Sequence, residues 1–141
     1  MAAWEDLGFD TYDELWARVP AEPEPSIVFD LSGFFTATVQ AEFNAAERAV
    51  NNLVHLAFVR VLAADRPLLV LNWEHASARC WPHRRTDPLP WLAVPNGEHY
   101  VVGTEDFAMG TSGHPWEQTL RVWGEPLLGV LAPMLSWLPE R

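Results

Sequence analysis

From Val39 to Ala64 the apolar residues Val39, Phe43, Ala46, Val50, Leu53, Ala57 and Val61 recur at spacings of four and three, the stripe of an amphipathic helix. No proline or glycine interrupts this stretch, so one long helix is predicted, lying across a sheet. Its other face carries Asn44, Arg48, Asn51, Asn52 and His55, which the pattern assigns to water or to a partner. Strand-like runs flank it. Ser26 to Leu31 reads as one strand, Leu68 to Trp73 as a buried one, and Ser77 to Trp81 as a shorter one reached through a turn near His75 and Ala76. Two more runs, Tyr100 to Val102 and Leu120 to Trp123, are joined by a long Gly-rich connection that presents His114, Trp116 and Glu117.

The rest of the chain is punctuated by prolines and short helical signals. Asp10 to Arg18 has acids in its first turn and Arg18 near its end, so a short helix pinned by Leu15 and Trp16 is predicted. Pro20 to Pro25 reads as an extended linker, and Pro82, Pro88, Pro90 and Pro95 leave a loop from about Pro82 to Asn96. Glu125-Pro126 opens a final helix that Pro133 kinks or ends. The segment from Leu127 to Leu138 has almost no polar face; it belongs either in the core or in a homodimer or partner surface. Strands grouped apart from helices favour an α+β architecture: a single layer of about five mostly antiparallel strands against one long helix and a C-terminal helix.

With 141 residues and 49% hydrophobic content, the chain is long enough for one self-supporting core, so residues 1–141 are expected to form a single α+β domain. A net charge of −10 disfavours nucleic acid, whose phosphates need clustered cations, and favours a basic protein partner. The acids gather in the first thirty residues, where Glu5, Asp6, Asp10, Asp13, Glu14, Glu22, Glu24 and Asp30 face Arg18 alone. The chain contains no lysine, which excludes Schiff-base chemistry and the usual lysine-bearing phosphate loop. Cys80 is the single cysteine, so neither an intrachain disulfide nor a cysteine metal cluster can form. The acidic start Met1-Ala-Ala-Trp-Glu-Asp and the lack of a membrane-length apolar run lead to the expectation of a cytoplasmic protein without membrane contact.

Several blocks together resemble a known family: Leu71-Asn-Trp-Glu-His75, Pro82-His83, Pro95-Asn-Gly and the run Gly113-His-Pro-Trp-Glu-Gln-Thr-Leu-Arg-Val-Trp-Gly124. They look like the bacterial family known as domain of unknown function 2716, and the resemblance spans nearly the whole chain. It implies compact cytoplasmic proteins of about this size. The family has no established activity, so the resemblance transfers no catalytic residue.

Candidate chemistry gathers at the turns. His114, between Gly113 and Pro115, is placed at a turn where an imidazole is free to carry protons, with Glu117 or Asp106 to orient it if the fold brings them together. Thr111 and Ser112 lack a nucleophile frame. A metal would need His75, His83 and His99 with Glu74, Glu98 or Asp106; their spacing matches no ligand motif, so no metal and no cofactor is expected. Arg79, Arg84 and Arg85 with His83 form the one basic cluster, suited to a small anion or to the chain's own acids. Trp73, Trp81, Trp91 and Trp116 flank these turns and are either interface anchors or core. The leading expectation is a non-enzymatic protein-binding module, immunity-like or antitoxin-like toward a basic partner, that binds through Trp73, His75, Arg79, His83, Asp106, His114, Trp116 and Glu117. The alternative is a small hydrolase or anion-binding enzyme built on His114 and neighbouring carboxylates.

Overall fold

The computed structural model describes residues 2–36, 38–85 and 93–141. Seven strands form one antiparallel sheet: β1 (Trp4–Gly8), β2 (Ser26–Asp30), β3 (Leu68–Asn72), β4 (Ser77–Cys80), β5 (Tyr100–Gly103), β6 (Gly110–His114) and β7 (Thr119–Trp123). Their order across the sheet is β1-β4-β3-β5-β6-β7-β2, so the first two strands of the chain become its two edges. Among the described residues four α-helices accompany them: α1 (Tyr12–Arg18), α2 (Ser32–Phe35), α3 (Gln40–Val61) and α4 (Leu127–Met134). The fold is therefore α+β, with two strands more than the pattern predicts and a short extra helix. Trp91 and the prolines at 88 and 90 lie outside the described residues.

The two extra strands are those whose composition speaks against strand. Gly110-Thr-Ser-Gly-His114 is the middle of the predicted Gly-rich connection, yet it pairs along its whole length with β7 and through Gly110 to Gly113 with β5. Glycine is required there by crowding rather than by a turn. A methyl group on Gly110 would lie 2.5 Å from the Val102 carbonyl oxygen, and one on Gly113 would lie 2.1 Å from that of Ala93. The connection that remains is only the tight turn from Pro115 to Gln118, with Gln118 at φ +54°. The other extra strand, β1, carries Glu5 and Asp6 side by side at a sheet edge, where charge blocks further pairing.

The alternation of side chains splits the sheet into two faces. Leu68, Val70, Ala78, Cys80, Val102, Leu120, Val122 and Phe29 point to one face and pack with Val50, Val54, Ala57 and Phe58 of α3 and with Leu127, Leu128 and Leu131 of α4. Leu69, Leu71, Val101 and Trp123 point to the other, where Leu15 of α1, Phe107, Leu7, Trp16 and Val19 cover them. In the C-terminal segment Leu127, Leu128, Leu131, Leu135 and Leu138 are all buried, while Trp137 is exposed; α4 ends one residue after Pro133.

Two residues assigned to the watery face of the long helix are inside. Asn51 is 1% exposed, and its Oδ1 accepts the backbone N–H groups of Ala93 and Val94 at 3.0 and 3.1 Å. His55 is also buried, with Nε2 3.1 Å from the Pro82 carbonyl oxygen. The ends of the proline-rich segment thus fold over α3, and polar side chains of the helix satisfy backbone groups that would otherwise be buried unpaired. A helical wheel cannot show this, because the donors come from 42 and 43 residues away.

Candidate functional site

The register between β5 and β6 places Ser112 opposite Val101, so His99, Ser112 and His114 share the face that α1 only partly covers. Trp73, just past β3, joins them through its backbone N–H, which donates to the His99 carbonyl at 3.1 Å. The rings form a continuous row. Trp16 lies 5.4 Å from His99, His99 5.0 Å from His114, His114 5.4 Å from Trp116, and Trp116 5.4 Å from Trp73, measured between ring centres. The row runs from half-buried to open, ending on Trp73 at 45% exposure and Trp116 at 71%.

Local hydrogen bonds hold this row in place. The backbone N–H of Glu117 donates to Nδ1 of His114 at 3.2 Å, which closes the β6–β7 turn and aims Trp116 outward. An accepting Nδ1 puts the proton of the neutral imidazole on Nε2. Both nitrogens are therefore committed, and His114 as seated has no free lone pair for a metal. His99 Nε2 lies 3.1 Å from the Ser112 hydroxyl oxygen. Burial first, and then the neighbouring His114 ring, hold the His99 imidazole below the usual histidine range, with Glu117 pulling the other way. Glu74, at φ +65° beside Trp73, is fixed by a 2.7 Å bond from its N–H to the Tyr12 hydroxyl.

A polar group lies at the same end of the sheet on its other face, since Asn72 and Tyr100 alternate with Trp73 and His99. Glu98 accepts from Asn72 Nδ2 at 2.6 Å and from the Tyr100 hydroxyl at 2.8 Å, and His75 Nε2 sits 3.4 Å away. The Tyr100 hydroxyl and then the Asn72 amide hold the Glu98 carboxyl below its ordinary range. Burial, reinforced by that carboxylate, pushes the Tyr100 phenol up.

Of the residues expected to act together, the fold gathers Trp73, His114, Trp116 and Glu117 and leaves the others apart. Asp106 accepts from the Thr104 hydroxyl at 2.7 Å and from the Ala108 N–H at 3.0 Å in the β5–β6 turn. It stands at the opposite end of β6 from His114, so it cannot orient that ring. The basic cluster is split as well. Arg79 pairs with Glu5 at 2.6 Å and Glu105 at 3.2 Å, and Arg84 lies 4.5 Å over the Trp81 ring. His83 bonds the Leu62 carbonyl at 2.8 Å and, with His55 and Arg85, lines a cavity of about 430 Å³. Another cavity, of about 510 Å³, is lined by Val61, Leu62, Met109 and Asp106 among others and likewise excludes His114. Among the described residues no three metal-ligating side chains converge. Cys80 is buried and its thiol is pushed up to about 11 by that burial, so it supplies no thiolate.

Sequence reasoning weighed His99 only as a metal ligand, Ser112 only as a nucleophile without a frame and Trp16 only as a pin for the first helix, and placed none of them beside His114. Reading Gly110 to His114 as a strand in register with Tyr100 to Gly103 would have put His99, Ser112 and His114 on one face, but its two glycines masked that signal.

A family model described as "Protein of unknown function (DUF2716)" matches residues 3–128, which takes in every strand and the whole ring row. The chain belongs to the DUF2716 family. It is similar to the uncharacterized protein YxiI of Bacillus subtilis (strain 168), with 26% identity over 152 aligned positions and 91% of each chain covered. No solved structure matches. No described helix is long and apolar enough to cross a membrane.

Proposed function

We propose that this DUF2716 protein is a non-enzymatic binding module that recognises another protein through the Trp73–Trp116–His114 end of the ring row. The observation that carries this reading is the pair of exposed indoles, at 45% and 71%, on a sheet face whose neighbouring half is already closed by α1. Large aromatic side chains left in water and held by local bonds are the usual anchors of protein interfaces. The net charge of −10 favours a basic partner and fast association at low salt. An immunity-like or antitoxin-like role in the cytoplasm, toward a basic enzyme, is the form of this reading that the acidic chain favours. Affinity capture from its own cells, with the wild type beside a Trp73→Ala/Trp116→Ala variant, tests the reading. A partner held by the wild type, lost from the variant, and rebound when purified is the expected outcome. A partner set identical for the two proteins refutes it.

A small hydrolase is the second reading, and one contact favours it: the 3.1 Å pairing of the Ser112 hydroxyl with His99 rather than any arrangement around His114. In that reading His99 Nε2 takes the Ser112 proton as the hydroxyl oxygen adds to an acyl carbon and the carbonyl π pair moves onto its oxygen. The imidazolium then gives that proton to the leaving group as the carbonyl re-forms and the acyl–leaving-group bond breaks. A fluorophosphonate that labels Ser112 in the wild type and not in a His99→Gln variant would favour it; no labelling of Ser112 would remove it.

A further inference from the structure

Trp73 and Trp116 meet with their ring planes at 77°, and Trp116 meets His114 at 63°. Two indoles meeting edge to face at close to a right angle make a corner, and their residues are 45% and 71% exposed; indole π faces carry the negative end of the ring quadrupole. Resting on the binding reading above, we infer that this corner receives a cationic side chain of the partner, an arginine or a lysine.

Charge around the corner is consistent with that occupant. Glu74 follows Trp73 directly and Glu117 follows Trp116, both exposed, and the Glu117 charge is felt within the row at His99. Of the chain's nine arginines, Arg18 pairs with Glu14, Arg79 with Glu5 and Glu105, and Arg84 lies over Trp81, while Arg121, in register with Ser112, donates to the Ser26 hydroxyl. Arg141 does reach the turn, but by donating to the Glu117 carbonyl at 2.8 Å, with its charge also felt by Asp30. An anionic occupant would meet the indole π faces and the same carboxylates, and would be repelled by both.

The corner is also formed in advance. The Glu117-to-His114 bond sets the Trp116 wall, and the bonds from Glu74 N–H to Tyr12 and from Trp73 N–H to His99 set the other. A long, flexible cationic side chain would thus be ordered against a surface that is already ordered.

The test uses the intact protein, labelled with nitrogen-15, and follows the indole N–H signals of Trp73 and Trp116. The probes are N-acetyl-arginine amide and its neutral analogue of nearly equal shape, N-acetyl-citrulline amide. The arginine probe is expected to shift both signals saturably and to bind about five-fold more tightly than citrulline. A Glu74→Gln/Glu117→Gln variant, which keeps both indoles, is expected to lose most of that preference. The Trp116→Ala variant, altered at a 71% exposed side chain, should lose the response while the rest of its spectrum stays as in the wild type. Equal binding of the two probes would overturn the cationic inference while leaving an apolar protein-docking surface in place. No shift with either probe would also overturn it, and the capture experiment with the double tryptophan variant then decides the binding reading separately.

Discussion

Replacing Asn51 by alanine removes the one oxygen that accepts the backbone N–H groups of both Ala93 and Val94, at 3.0 and 3.1 Å. Ala93 and Val94 are 1% and 0% exposed, so water cannot replace that acceptor without the segment lifting away from α3. A buried donor left unpaired costs about 1–3 kcal/mol, and partial relaxation of the segment recovers some of it. The expected loss for Asn51→Ala is therefore about 2–4 kcal/mol, which for a chain of this size corresponds to a fall in Tm of about 6–12 °C. Urea unfolding with a common m-value reads the difference, and Asn44→Ala is the control. Asn44 lies on the same helix and was assigned to the same face, but it is exposed and bonded only to the Gln40 amide at 2.9 Å. Its replacement should change stability by no more than about 0.5 kcal/mol. If Asn51→Ala matched Asn44→Ala, the docking of the 93–94 segment onto α3 would be refuted.

Two further outcomes test the site. Gly113→Ala sets a methyl group 2.1 Å from the Ala93 carbonyl oxygen, a backbone atom that no rotamer change can move; a loss of about 1–3 kcal/mol is expected in urea unfolding. Gly33→Ala, where nothing lies within 4 Å, should be neutral or mildly stabilising, and equal effects at the two positions would count against the crowding at β6. The pH dependence of stability should carry the mark of His99. Its folded-state value is depressed, so the unfolded chain takes up the proton first. The contribution is present above the unfolded value of about 6.5 and is lost as the pH falls through that value toward the folded one. His99→Gln should flatten the stability curve in that window, above the range where Glu98 titrates. Parallel curves for the two proteins would show that the imidazole is not buried as described.

The elements that bury a regular stripe were legible in the chain. The period of α3, the apolar run of β3 and the β7 strand with its tryptophan each follow from local pattern, because burial against a flat neighbour imposes the same period wherever it occurs. The turn bearing Trp116 was legible too, and with it half of the candidate site. The other half was not, since His99 and Ser112 enter the site only through the β5–β6 register.

Composition and spacing by themselves determined the α+β class, the acidic field, the absence of lysine chemistry and the His-Pro-Trp-Glu turn, but not whether its tryptophan is exposed. Tertiary structure alone decided that a Gly-rich stretch is a central strand, that Asn51 and His55 of the long helix are inside, and that Asp106 and the arginines stand apart from His114. The physical reason is the same in each case. Local propensity acts over a few residues, whereas a close backbone approach, a buried donor or a ring-to-ring contact is set by partners far along the chain. The 2.1 Å gap at Gly113 and the 42-residue reach to Asn51 are properties of the assembled sheet and helix, with no local trace in the residues that make them.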